Sequence, residues 1–297
     1  MGTMKTNTNT FSMARIQFWT VAALIISIGF LFMNFRDWLP YDSAKKVTYE
    51  IAGRWELPIE LREVSGIAWL RDNTIAAVQD EDGIIFLYDL QRQKVTQEIK
   101  FGHAGDYEGL AVHDKDAYLL ESNGTITIVK NFQDHDRTVT SFDTGFDIEN
   151  NMESLEYDAQ NNRLLIIPKD RDAASDRVKS IYAFSLRTNT LDPKPIYTID
   201  MGDEVLKNFR EKKLYKTFRP SDMAIHPQTG EMYVLEGSKP KLLILDKQGT
   251  AQHAYKFDKR IFPQPEGITF DPDGTLYIAS EGKKDGIGTI TELKLLP

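Results

Sequence analysis

Three glutamates, Glu108, Glu153 and Glu266, hold the same place in a seven-residue phrase that the sequence uses five times. The copies are Glu63-Val64-Ser65-Gly66-Ile67-Ala68-Trp69, Asp106-Tyr107-Glu108-Gly109-Leu110-Ala111-Val112, Asn151-Met152-Glu153-Ser154-Leu155-Glu156-Tyr157, Arg219-Pro220-Ser221-Asp222-Met223-Ala224-Ile225 and Gln264-Pro265-Glu266-Gly267-Ile268-Thr269-Phe270. Ser65 and Ser221 fill the third place in the first and fourth copies. If the copies surround one axis, three carboxylates meet there, and they cannot all stay ionised at close range without a counter-charge. A hard cation meets that need. Calcium takes roughly six to eight oxygens from carboxylates, hydroxyls and water, whereas zinc or copper calls for the His or Cys that this ring lacks. The expectation is a Ca2+ site with Glu108, Glu153 and Glu266 as its protein ligands.

Other polar residues fall on the same side. Asp80, Glu121, Asp170, Glu236 and Glu281 come at the ends of the strand after each phrase, and Glu63, Asp106, Asn151, Arg219 and Gln264 stand two places before the third. In an extended chain, residues two apart share a side. A wet channel lined by solvated groups is the plainer account of both sets. His103 precedes the second phrase, where it can serve as a general base, while His113, His135, His226 and His253 belong to parts of the repeat that point elsewhere. Lys169, with Arg219 and the basic stretch 207–216, offers either a receptor for an anionic group or salt bridges to the surrounding acids. No Ser-His-Asp order, phosphate loop, HExxH or EF-hand pattern is present, and Asp271-Pro272-Asp273-Gly274 reads as a turn.

The elements that must bring these residues together follow from the spacing. Third places lie 43, 45, 68 and 45 residues apart. That is the period of a four-stranded propeller blade, about 40–50 residues. In the first repeat, strands are predicted at 66–70, 74–78, 84–90 and 95–101, separated by turns such as Asp80-Glu81-Asp82-Gly83. The last repeat lacks a strand, and 47–57 is a spare one, so the spare strand is expected to complete the last blade and close the ring. The gap of 68 exceeds one period by too few residues for another blade. Its surplus falls in 170–179 and in 202–219, where Val205, Leu206, Phe209, Leu214 and Tyr215 suggest a short surface helix, either a decorated loop or a lid. The expected fold is all-β, a five-bladed β-propeller, with six blades as the alternative if the third unit is irregular. In a blade the first strand is innermost, and the connections that precede the first strand and follow the second open on one face. This puts the phrase and the acidic strand ends together.

The chain has 297 residues, no cysteine and a net charge of −8. Thiolate chemistry is excluded. The first 46 residues are basic on balance, so the remainder is more acidic than the whole, which disfavours nucleic acid as a partner. Residues 16–35 carry no charge, enough to cross a hydrocarbon core of about 30 Å, and Trp19 and Trp38 bracket them as interfacial anchors. The end of the run has no small-x-small cleavage site. The expectation is a cytoplasmic tail at 1–15, one transmembrane helix at 16–35, a linker at 36–46 and a propeller at 47–297, held at a bacterial inner membrane and facing the periplasm.

The phrases EVSGIA, DYEGLAV, NMESLEYD, RPSDMAIHP and PEGITFDPDGTLYIASE, behind an N-terminal anchor, resemble the bacterial SdiA-regulated family from Val47 to Pro297. The resemblance implies a calcium-binding five-bladed propeller, distantly similar to NHL-repeat proteins, with no settled activity. Ser65 and Ser221 depart from an all-acidic ring. Two functions use the same ring: a membrane-tethered module that binds a ligand or protein at the channel face, or a calcium-dependent hydrolase of a lactone or phosphoester. The second requires an open position on the ion beside a base. The residues offer no activated nucleophile, which favours the module.

Overall fold

The computed structural model describes Met1 and residues 49–172, 174–282 and 286–296. The apolar run 16–35 lies outside them; among the described residues no helix is long and apolar enough to cross a membrane.

From Tyr49 onward the chain forms five antiparallel sheets. β1 (Tyr49–Glu56) comes first in sequence. Blade one holds β2 (Val64–Arg71), β3 (Thr74–Gln79), β4 (Ile84–Asp89) and β5 (Lys94–Lys100). Blade two holds β6 (Tyr107–His113), β7 (Asp116–Glu121), β8 (Thr125–Lys130) and β9 (Thr138–Asp143). Blade three holds β10 (Met152–Asp158), β11 (Arg163–Pro168) and β12 (Val178–Ser185), with an outer edge split into β13 (Thr190–Leu191) and β14 (Tyr197–Asp200), both paired to β12. Blade four holds β15 (Asp222–Ile225), β16 (Met232–Glu236), β17 (Lys241–Leu245) and β18 (Ala251–Lys256). Blade five holds β19 (Pro265–Phe270), β20 (Leu276–Ser280) and β21 (Thr289–Leu295), and β1 completes it by pairing with β21 from Tyr49↔Leu295 to Glu56↔Thr289. The blade count is five, and the long third repeat is one blade with a broken outer strand.

The inner strands form a closed ring, each beside the next: β2, β6, β10, β15 and β19, then β2 again. The side-chain alternation of a strand explains the packing. In β3, Ile75 and Ala77 enter the apolar cluster shared with blade five, while Ala76 and Val78 enter the cluster shared with blade two. Five such clusters fill the five junctions. Second and third strands are therefore apolar on both faces, and outer strands such as β5 are mostly exposed.

The segment 202–219 forms two short 3-10 turns, Glu204–Phe209 and Leu214–Lys216, instead of the single helix its apolar residues suggested. Asp203 caps the first by accepting Val205 N–H at 2.8 Å. Leu206 and Phe218 are wholly buried in the junction of blades three and four. Packing into that junction, with no long apolar stripe, decided the local form.

Candidate functional site: the acidic mouth of the channel

The third place of each phrase is the second residue of β2, β6, β10 and β19, and in blade four it immediately precedes β15. Each copy thus enters the channel at the same height. Glu108, Glu153 and Glu266 act on one another electrostatically, and Lys169, from the connection after β11, acts on all three. Its ammonium contacts both carboxylate oxygens of Glu153. Asn151 donates to the same carboxylate at 2.8 Å. Burial lowers the Lys169 pKa, but Glu266, Glu153 and Glu108 outweigh it, and the ammonium is held above the ordinary lysine value.

One ammonium does not neutralise this mouth. Burial pushes Glu108 up to about 8; Lys169 opposes the rise, and Asp106, Glu266 and Asp80 add to it. Burial raises Glu153 well above its ordinary value and raises Glu266 as well, again against Lys169. Glu281, which accepts Gln264 Nε2–H at 2.7 Å, is pushed up to about 8 by burial, then by Glu266 and Asp80. Asp80 is raised by burial, and its buried Oδ1 has no hydrogen-bond partner. Burial is the first cause of each of these shifts, and repulsion between neighbouring carboxylates adds to it for Glu108, Glu153, Glu281 and Asp80.

The structure divides the other candidates. Asp80 and Glu281 join the three glutamates. Asp170 is taken by Arg219 in a two-pronged pair at 2.9 Å on each side, which is the salt-bridge alternative for Arg219. Glu236 is fully buried against Lys241, under the rings of Phe209 and Phe218 at 5.6 and 5.5 Å from the ammonium. Asp106 accepts the Ser122 hydroxyl, and Glu63 pairs with Arg62 at 3.1 Å. Glu121 is raised by burial and by Asp106. His103 is exposed in its loop, where its carbonyl accepts Tyr107 O–H at 3.1 Å. Ser65 and Ser221 are buried and donate sideways, to the carbonyls of Tyr107 at 2.6 Å and Pro265 at 2.9 Å. They tie neighbouring inner strands together instead of facing the axis with a free hydroxyl.

Two carboxylates deeper in the channel escaped the pattern of third places. Asp222 accepts Met223 N–H and, across to blade five, Ile268 N–H, both at 2.8 Å; burial holds it well above the ordinary carboxylate range. Glu156 accepts Ile225 N–H of blade four at 2.9 Å and is pushed up to about 7, chiefly by burial. Both were signalled in the phrase. Asp222 stands where other copies have Gly or Ser, and Glu156 where they have Ala or Thr.

The donor chemistry of the mouth, all carboxylate oxygen, suits a hard cation. Its arrangement is not a preformed cage: among the described residues no three His, Asp or Glu side chains are set to hold one ion. The Lys169 ammonium holds the Glu153 oxygens that such an ion needs.

Comparison with solved structures gives propellers. Glutaminyl cyclase from Myxococcus xanthus superposes with a TM-score of 0.60 at 12% identity, covering 85% of this chain and 98% of that one. The PQQ-bound aldose sugar dehydrogenase from Streptomyces coelicolor gives a TM-score of 0.51 at 11% identity, with 84% and 99% covered. At these identities the likeness concerns the fold alone. The sequence model of the SdiA-regulated family matches residues 44–283. With the five-bladed ring and its repeated phrase in hand, that match over most of the chain makes this protein a member of the SdiA-regulated family.

Proposed function

We propose that the protein is a membrane-tethered periplasmic binding module whose acidic channel mouth receives a ligand or partner protein under the control of calcium. The observation that carries this reading is the charge imbalance at the mouth. Glu108, Glu153, Glu266, Asp80 and Glu281 act on one another there, and the cations that act on the three glutamates are Lys169 and, from its pair with Asp170, Arg219. Calcium and the Lys169 ammonium compete for the same oxygens, so Glu108, Glu153 and Glu266 are the residues that would hold the ion once Lys169 turns away. The tether rests on the uncharged run 16–35. The hydrolase alternative needs a base beside the ion as well; His103 stands exposed in its loop, so the binding reading is preferred.

Calorimetric titration with calcium of the natural protein, of Lys169→Met and of Glu153→Gln tests the reading. Removing the competing ammonium is expected to tighten calcium binding on the order of tenfold or more, since about 1.4 kcal/mol suffices for each factor of ten. Glu153→Gln is expected to weaken it. Absence of binding in both the natural protein and Lys169→Met would overturn the calcium reading, since no competing ammonium would then explain it.

A further inference from the structure

The same phrase builds a second opening, at the other end of the channel. Its seventh place is occupied by Trp69, Val112, Tyr157, Ile225 and Phe270, the far ends of the five inner strands. All five line a cavity of about 390 Å³, so this collar is the repeat itself seen from the turn face. That volume falls within the usual range for small-molecule sites, roughly 300–1,000 Å³. Beneath the collar lies the sixth place, where Ala68, Ala111 and Thr269 leave room and Glu156 is the acidic residue; Asp271, just beyond Phe270, is the second carboxylate of the lining. No lysine or arginine lines the cavity, and its one imidazole, His113, stacks on Tyr157 with centroids 4.0 Å apart and lies 3.4 Å from Asp114.

The collar is partly open. Trp69, Tyr157 and Phe270 are all half-buried, and each is braced from behind by another ring. Trp69 stacks on Tyr277 at 5.1 Å, Phe270 meets Tyr233 edge-on at 5.0 Å, and Tyr157 lies parallel to Tyr118 at 6.0 Å. A rigid aromatic rim above Glu156, with Asp271 also in the lining, attracts positive charge twice, through ring quadrupoles and through carboxylate, and sheds water from an apolar ligand body. A small inorganic ion uses neither the rim nor the volume. An anion meets the carboxylate with no counter-charge.

We propose that this turn-face cavity is a binding site for a small organic cation of the alkylammonium class, its nitrogen directed at Glu156 and its alkyl groups against Trp69, Tyr157 and Phe270. The site is separate from the acidic mouth and does not depend on the calcium reading.

The test is calorimetric titration of the full chain with choline chloride, beside neohexanol, in which carbon replaces the charged nitrogen at nearly equal size. Saturable choline binding is expected, with neohexanol at least about tenfold weaker, as the loss of a partly desolvated cation–aromatic and ionic contact implies. Glu156→Gln keeps an acceptor for Ile225 N–H and is expected to weaken choline about tenfold or more; Trp69→Leu is expected to do the same without touching the carboxylate. Saturating calcium is expected to leave choline binding unchanged. No saturable binding of choline, equal affinity for neohexanol, or displacement of choline by calcium would each overturn the proposal. Should Glu156→Gln fail to fold, the comparison of choline with neohexanol on the natural protein still decides.

Discussion

At the scale of single residues, the channel is a set of carboxylates kept partly protonated by burial. Glu108 and Glu281 stand at about 8 and Glu156 at about 7, against an ordinary value of 4.5. A group raised in this way contributes stability in full below its unfolded pKa and loses it as pH rises through the folded one. Lys179, fully buried and lowered to about 8 by burial, works in the opposite sense, but its effect changes only from about pH 8 upward. In calcium-free buffer the urea midpoint is therefore expected to fall between about pH 5.5 and about pH 8, and to fall less in Glu108→Gln. A midpoint that is flat or rises over that window contradicts the assignment. The three glutamates were legible because a repeat marks equivalent places. Lys169 was legible as a salt-bridge partner of the surrounding acids but not as the partner of Glu153 in particular, since its reach into the ring depends on the path of the connection after β11, and no strand register fixes that path.

At the scale of the element, the inner strands are held by close approach. The fourth place of the phrase is Gly66 in β2 and Gly109 in β6, each where the neighbouring inner strand passes. A Cβ on Gly109 would come within 2.7 Å of the Leu155 Cβ, and one on Gly66 within 2.8 Å of the Leu110 nitrogen. Neither contact can be relieved by a flexible side chain, so Gly109→Ala is expected to cost about 1–3 kcal/mol as overpacking, measured by urea denaturation. A cost near zero would mean that the inner ring opens more easily than its geometry implies. The strands expected at 74–78 and 84–90 were legible to within a residue, as Thr74–Gln79 and Ile84–Asp89, because turn residues bound them sharply. The inner strands are longer than their apolar cores suggested: β6 runs from Tyr107 to His113, with the polar third place, Glu108, at a bulge between Tyr107 and Gly109. The segment 202–219 was the least legible, since its apolar residues are spent on a junction between blades that only the assembled ring creates.

At the scale of the whole molecule, five junctions of similar build leave one place where the ring is joined by distant sequence, the pairing of β1 with β21. Both the spare strand and its destination could be inferred, because an odd strand at each end of the repeat register has one economical use. A chain beginning after Glu56 bares the backbone edge of β21 from Thr289 to Leu295. Such an edge is a template for strand addition, so this truncation is expected to self-associate, seen as species larger than a monomer in sedimentation velocity. A stable monomer would show that the outer strand of blade five is dispensable. The same join has a consequence in time. β1 leaves the ribosome well before its partner: the chain must grow from Glu56 to Thr289 before the pairing can begin, about ten to fifty seconds at about 5–20 residues per second. Through that interval the first strand made is an unpaired segment in search of a partner not yet synthesised, and four blades take shape before the ring can shut. Closure of the ring thus waits for β21, and the period before it is when a chaperone has most to protect.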